Sequence, residues 1–180
     1  MSASFDMPGR EKAHEREKSI MMMPKELNHP SFYNNGHSPQ FLFPEEFQFY
    51  SNHGKGEKER PWLNFDQELT RLKDEWKELE SQLRNLFQER KGREAVRYVF
   101  QGCACFLKFL FWSNEKPVNL HLLAEEIQQL EIKPMNVSER IQFILNNPKL
   151  HHSFLQLQQL FIEQEKVYAK HKIIRKRASE

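Results

Sequence analysis

Apolar residues recur at alternating intervals of 3 and 4 through Trp62, Phe65, Leu69, Leu72, Trp76, Leu79, Leu83 and Leu86. That rhythm keeps one face of a helix apolar for three to four heptads and predicts a helix of about 25 residues. Asn64 is placed to cap its start, with Gln67 in the reciprocal position. Lys91-Gly92 closes it with a residue tolerant of positive φ. The opposite face is charged from Arg71 to Arg84, with Glu80 and Arg84 spaced for an i, i+4 ion pair. Such a seam can pair with a second copy of itself to make a homodimer. With other helices in the same chain and two bulky tryptophans on the seam, packing within the chain is the favoured reading.

From about Arg93 to Trp112 the pattern changes to apolar nearly all the way round, broken chiefly by Arg97, Gln101 and Lys108. A helix of that kind must be surrounded. Gly102, Cys103, Ala104 and Cys105 thin its middle, so neighbours can approach there, while Phe100, Phe106, Phe109, Phe111 and Trp112 fill space towards either end. A turn follows at Ser113-Asn114-Glu115-Lys116-Pro117. Lys116-Pro117-Val118-Asn119 then recurs 17 positions later as Lys133-Pro134-Met135-Asn136, each copy leading into a short amphipathic stretch. Each asparagine reads as a helix cap, and Glu139 completes a capping box with Asn136. Leu120, Leu123, Ile127 and Leu130 mark the first short helix; Val137, Ile141, Ile144 and Leu145 mark the second, ended by Asn147-Pro148. A last helix begins near Ser153 and carries Phe154, Leu157, Leu160, Phe161, Ile162, Val167 and Tyr168 into a basic end.

The first third reads differently. Five of the nine prolines precede position 61, aliphatic residues are sparse, and yet aromatic residues crowd together. An independent core cannot be built from this segment, and so many aromatics in a solvated tail would be adhesive. Residues 1–60 therefore read as an extended or partly disordered arm laid on a surface. That surface is either the chain's own helices, the favoured reading for Pro24 to Tyr50, or a partner protein. In the second case Phe32, Tyr33, Phe41, Phe43, Phe47, Phe49 and Tyr50 form the docking element. The expected architecture is all-α: a single bundle of about five helices over residues 61–175, two long, one fully buried and two short. An irregular arm precedes it and a basic, frayed end follows at 176–180.

Charge narrows the partners without naming them. The chain is 180 residues long, with 27 basic and 25 acidic residues. From Lys166 to Ser179 no acid occurs, and Lys170, Lys172, Arg175, Lys176 and Arg177 could together neutralise several phosphates. Nothing in that run reads bases, and cations at a helix C-terminus also favour the helix dipole. The longest apolar stretch, Val99 to Trp112, is too short to cross a bilayer, and the N-terminus lacks the order of a secretory signal. A cytoplasmic location is expected. Cys103 and Cys105 point roughly 200° apart on a helix and read as small buried hydrophobes.

Catalytic patterns are missing from the sequence: no glycine-rich phosphate loop, no Gly-x-Ser-x-Gly, no His-Glu-x-x-His and no Cys-x-x-Cys. His151 and His152 are adjacent and diverge by roughly 100°, so with His121 they make an awkward metal site. No enzymatic activity, metal or cofactor is expected.

Two stretches carry a family resemblance: Phe106-Leu107-Lys108-Phe109-Leu110-Phe111-Trp112-Ser113-Asn114-Glu115-Lys116-Pro117-Val118-Asn119 and Lys133-Pro134-Met135-Asn136-Val137-Ser138-Glu139-Arg140. Together with Pro24-Lys25-Glu26-Leu27, His29-Pro30, Phe32-Tyr33 and Pro61-Trp62, they resemble the YpoC-like proteins of Bacillus-type bacteria. The resemblance spans roughly 24 to 170. It implies a small helical protein of a family without an established activity, so it carries no functional residues over. The expected role is a non-catalytic adaptor or accessory protein that binds another bacterial protein. The alternative is a nucleic-acid-associated helper using the basic C-terminal end.

Overall fold

The computed structural model describes residues 23–34, 39–54 and 60–178. Among these residues there are eight α-helices and no strand. Three are short and belong to the arm: α1 (Pro30–Asn34), α2 (Pro39–Leu42) and α3 (Pro44–Ser51). Five form the bundle: α4 (Phe65–Gln88), α5 (Gly92–Trp112), α6 (Leu123–Gln128), α7 (Val137–Asn146) and α8 (His151–Ala178). Single 3₁₀ turns at Lys25–Leu27 and Pro61–Leu63 introduce the arm and the bundle.

Helix α5 is the axle of the molecule. Its continuous apolar sequence is matched by burial from Gly102 through Trp112. The heptad seam of α4 packs on α5 and α8 within the chain, with Leu72 and Leu83 fully buried and Trp76 stacked on Phe161 of α8 at 4.0 Å. Leu157 and Trp76 close over the thin middle of α5, where a Cβ on Gly102 would lie 2.8 Å from Leu157 Cδ2 and 3.1 Å from Trp76 Cζ3. Phe106 and Phe109 extend the same layer towards Phe161, Phe65 and Tyr168.

Several helix ends depart from their sequence signatures. Helix α4 stops at Gln88, and Arg90 rather than Gly92 takes the left-handed backbone, at φ 60°. Gly92 instead opens α5, and the carbonyl oxygen of Lys149 lies 2.6 Å from where its Cβ would stand. The glycine serves a close approach of two chain segments, not a turn. Asn64 precedes α4 without a side-chain capping bond; Asp66 and Glu68 in the first turn favour the dipole instead. Asn136 adopts left-handed backbone, φ 51°, also without a side-chain cap, so the expected capping box with Glu139 does not form. Asn119 organises a turn rather than a helix start. Its Oδ1 accepts from His121 N–H, its Nδ2 donates to Glu126 Oε1, and α6 begins only at Leu123.

Asn114 ties these loops down. Its Nδ2 donates to the carbonyls of Leu110 and Ile132, and its Oδ1 accepts from the N–H groups of Glu131 and Ile132. Gln164, fully buried on α8, donates to Ser113 Oγ and to the Ile132 carbonyl. The turn after α5 is therefore stitched to the α6–α7 connection and to α8. Arg140 of α7 binds Gln156 and Glu163 of α8, fixing the crossing of those two helices.

Candidate binding surfaces

The described part of the arm lies on the chain's own bundle. Phe32 and Phe43 are fully buried; Phe32 meets Phe43 and Phe100 edge-on, at 5.7 and 5.5 Å. Phe47, Phe49 and Tyr50 are half-buried against the same core, and Phe49 sets its edge on Trp62 at 5.1 Å. Phe41 is 78% exposed. Tyr33 sits in α1, and its side chain lies outside what is described. Of the seven aromatics singled out in the sequence, two are core residues, three edge the core, and Phe41 is the one whose described side chain faces mainly solvent. The amide groups of Leu120 and His121 donate to the Glu26 carbonyl, so the arm's first turn also grips the loop before α6.

The basic end of the chain borders an open cleft of about 930 Å³ between the start of α4, the turn after α5 and the last turns of α8. Tyr168 is the partly exposed aromatic residue at this cleft, with Trp62, Phe65 and Trp112 buried beneath its floor, and Leu63 and Ile174, more than half exposed, stand at its edge. Lys172 Nζ lies 2.8 Å from both carboxylate oxygens of Asp66, which also accepts from the Tyr168 hydroxyl. Those two donors, Lys172 first, hold the Asp66 carboxyl below the ordinary aspartate range. Burial and the bond to Asp66 push the Tyr168 phenol upward. Arg175 pairs with Glu115 at 2.8 Å, and that hydrogen bond raises its already high pKa. Two of the five cations picked out in the sequence are thus engaged with acids of the bundle. Lys170, Lys176 and Arg177 are exposed, with no ion pair among the described residues.

Elsewhere, chemistry-bearing side chains are occupied structurally. Cys103 and Cys105 are free and buried; burial pushes both thiols upward, and Cys105 donates to the Leu72 carbonyl. His151 lies against Phe87 and Phe154, and His152 against Phe143. Among the described residues no three His, Cys, Asp or Glu side chains gather as a metal site. No described helix is long and apolar enough to cross a membrane.

Sequence reasoning missed one polar cluster altogether. Glu46 on α3 is fully buried, and its Oε1 accepts from Trp112 Nε1 at 2.6 Å and from Val118 N–H at 3.3 Å. Beside it Glu45 pairs with Lys108 at 3.0 Å and Arg71 at 3.3 Å. Lys108, an interruption in an otherwise apolar helix, was the one available signal, since a buried lysine requires an acid from a neighbouring element.

Fold and surfaces together define a small all-α protein, a five-helix bundle with an aromatic arm folded over it and a cleft at its C-terminal end. The chain belongs to the YpoC-like protein family, whose model matches residues 66–176. It is 32% identical over 113 residues to the uncharacterized protein YpoC of Bacillus subtilis (strain 168), a match covering 62% of this chain and 68% of that protein. The matched family region takes in nearly all of the bundle and most of the cleft; the arm motifs and Pro61-Trp62, which also carry the resemblance, lie outside it. No solved structure matches the chain.

Proposed function

We propose that the protein is a non-catalytic accessory protein of the cytoplasm that binds another protein through the cleft between α4 and the end of α8. The observation that carries this reading is the placement of exposed Leu63 and Ile174 at an open cleft of about 930 Å³ whose lining also includes Asp66, Glu115, Lys172 and Arg175. Apolar anchors surrounded by a charged rim are the usual anatomy of a protein contact. Capture from nuclease-treated extract tests it, using the full chain and a Leu63→Glu/Ile174→Glu variant. The expected result is one protein retained by the wild type that, once purified, binds the variant at least about tenfold more weakly and is little affected by salt. Equal binding of that purified protein to both chains overturns the reading.

A second reading rests on Lys170, Lys176 and Arg177, which add exposed positive charge around the cleft, Lys176 at its lining. It makes the protein a nucleic-acid-associated helper with weak, sequence-independent affinity. Its mark is a complex removed by nuclease and lost steeply between low and physiological salt.

A further inference from the structure

The carboxyl of Glu46 on the arm is fully buried, and one of its oxygens is left without a hydrogen-bond partner. Glu46 Oε1 has two donors, the indole of Trp112 on α5 and the backbone N–H of Val118; Oε2 meets no hydrogen-bonding protein group. Tyr50, one turn further along α3, donates to the Val118 carbonyl at 3.1 Å. Thus α3 holds the loop between α5 and α6 through both sides of a single peptide position. The charged neighbours are arranged for Glu45 instead: Lys108 from α5 and Arg71 from α4 both pair with it.

We propose that the arm is a proton-dependent clasp: protonated Glu46 closes α3 over Trp112 and Val118, and loss of that proton releases α3 from the bundle. A neutral carboxyl tolerates an unsatisfied buried oxygen far better than a carboxylate does. Burial accordingly raises the Glu46 carboxyl from 4.5 to about 7, against the opposing pull of Lys108 and the Trp112 hydrogen bond and with a small push from Glu45. Tyr50 faces the same site, but its phenol is pushed further upward by burial and stays neutral. His29, elsewhere on the arm, is held below its usual range by burial and acts in the opposite sense, disfavouring closure when acid charges it. The sign for Glu46 follows from linkage: the closed form binds the proton more tightly than the open form, so closure weakens as pH rises through the interval between the two pKa values. With 4.5 open and about 7 closed, the closed-to-open ratio falls roughly 70-fold between pH 5 and pH 8. The clasp stands independently of what the cleft binds.

Amide hydrogen exchange on the full chain tests this, with rates corrected for their intrinsic pH dependence. Protection of the α3 amides of Phe47 and Tyr50 is expected to fall by roughly 70-fold from pH 5 to pH 8 in the wild type relative to Glu46→Gln. Amides in the interior of α5 should keep their protection. The comparison cancels the His29 contribution, which both proteins share. Identical pH profiles in the two proteins, or parallel loss in α3 and α5, overturn the clasp. A carbon-13 titration of the Glu46 carboxyl in the wild type supplies a readout that needs no variant. Its midpoint should lie clearly above 4.5 and below the closed-form value of about 7, moving together with the Trp112 indole N–H resonance, and titration near 4.5 overturns the proposal.

Discussion

Gly92 and Gly102 show how one missing side chain can set the spacing of a bundle. Alanine is the better helix former by about 1 kcal/mol, so on propensity alone either replacement should stabilise. At Gly92 the new Cβ would meet the Lys149 carbonyl oxygen at 2.6 Å, and that backbone cannot rotate away. At Gly102 the nearest obstacle is the tip of Leu157, which has some freedom to move. Gly92→Ala is therefore expected to lower stability by about 1–3 kcal/mol, and by more than Gly102→Ala, in urea unfolding. Equal or reversed effects would show that the α4–α5 connection yields more readily than its geometry indicates. Asp66 offers a contrast at the surface. Its contact with Lys172 and Tyr168 is exposed and screened, so Asp66→Asn should cost less than about 1 kcal/mol at pH 7. Because that carboxyl is depressed below its ordinary value of 3.8, the contribution is present above the unfolded pKa and disappears as pH falls through the folded one. Unfolding midpoints of Asp66→Asn and wild type should accordingly converge towards pH 2.

At the scale of elements, the arm is an integral layer of the core and its aromatics divide into two populations. Phe32→Ala and Phe43→Ala each remove a fully buried ring and should cost about 3–5 kcal/mol, as a deletion in α5 would. Phe41→Ala, at a site 78% exposed, should fall within about 0.5 kcal/mol of the wild type in the same denaturant titration. The sequence distinguishes the arm from the bundle by its prolines and scarce aliphatics, but the two populations were not separable there. No period survives in helices of four to eight residues, so burial within the arm depends on the shape of the bundle beneath. The heptad seam of α4 and the apolar circumference of α5 were legible because each repeats one physical requirement over many turns. Asn119 and Asn136 misled for the opposite reason. An asparagine satisfies local backbone groups in several geometries, and which one it adopts is decided by Glu126, His121 and a left-handed φ that spacing does not reveal. The acidic partners of Lys108 lay more than 60 positions away, beyond the reach of any local pattern.

Across the whole molecule, the apolar seam of α4 decides between assembly and solitude. A seam of this length could hold two chains together as a coiled coil if it were open. Here Trp62, Phe65, Leu72, Trp76 and Leu83 are buried by α5, α8 and the arm, with Leu69, Leu79 and Leu86 packed at the margin. What α4 turns outward is its charged face, where Arg71 and Arg84 pair with Glu68 and Glu80 along the same helix. Pairing two chains through the seam would require α4 to leave its own core, surrendering the Trp76–Phe161 stack and the Leu72 and Leu83 contacts in both copies. Such an exchange replaces one buried surface by another of similar chemistry while adding the entropic cost of association. Sedimentation equilibrium of the full chain is therefore expected to give the mass of a single chain from micromolar to submillimolar concentration. Burial of Leu72 and Leu83 predicts the same outcome when Asp74→Lys reverses an exposed charge on the outward face. A concentration-dependent mass abolished by that reversal would place a copy of the chain against the charged side of α4 and leave the seam, as in the monomer, turned inward.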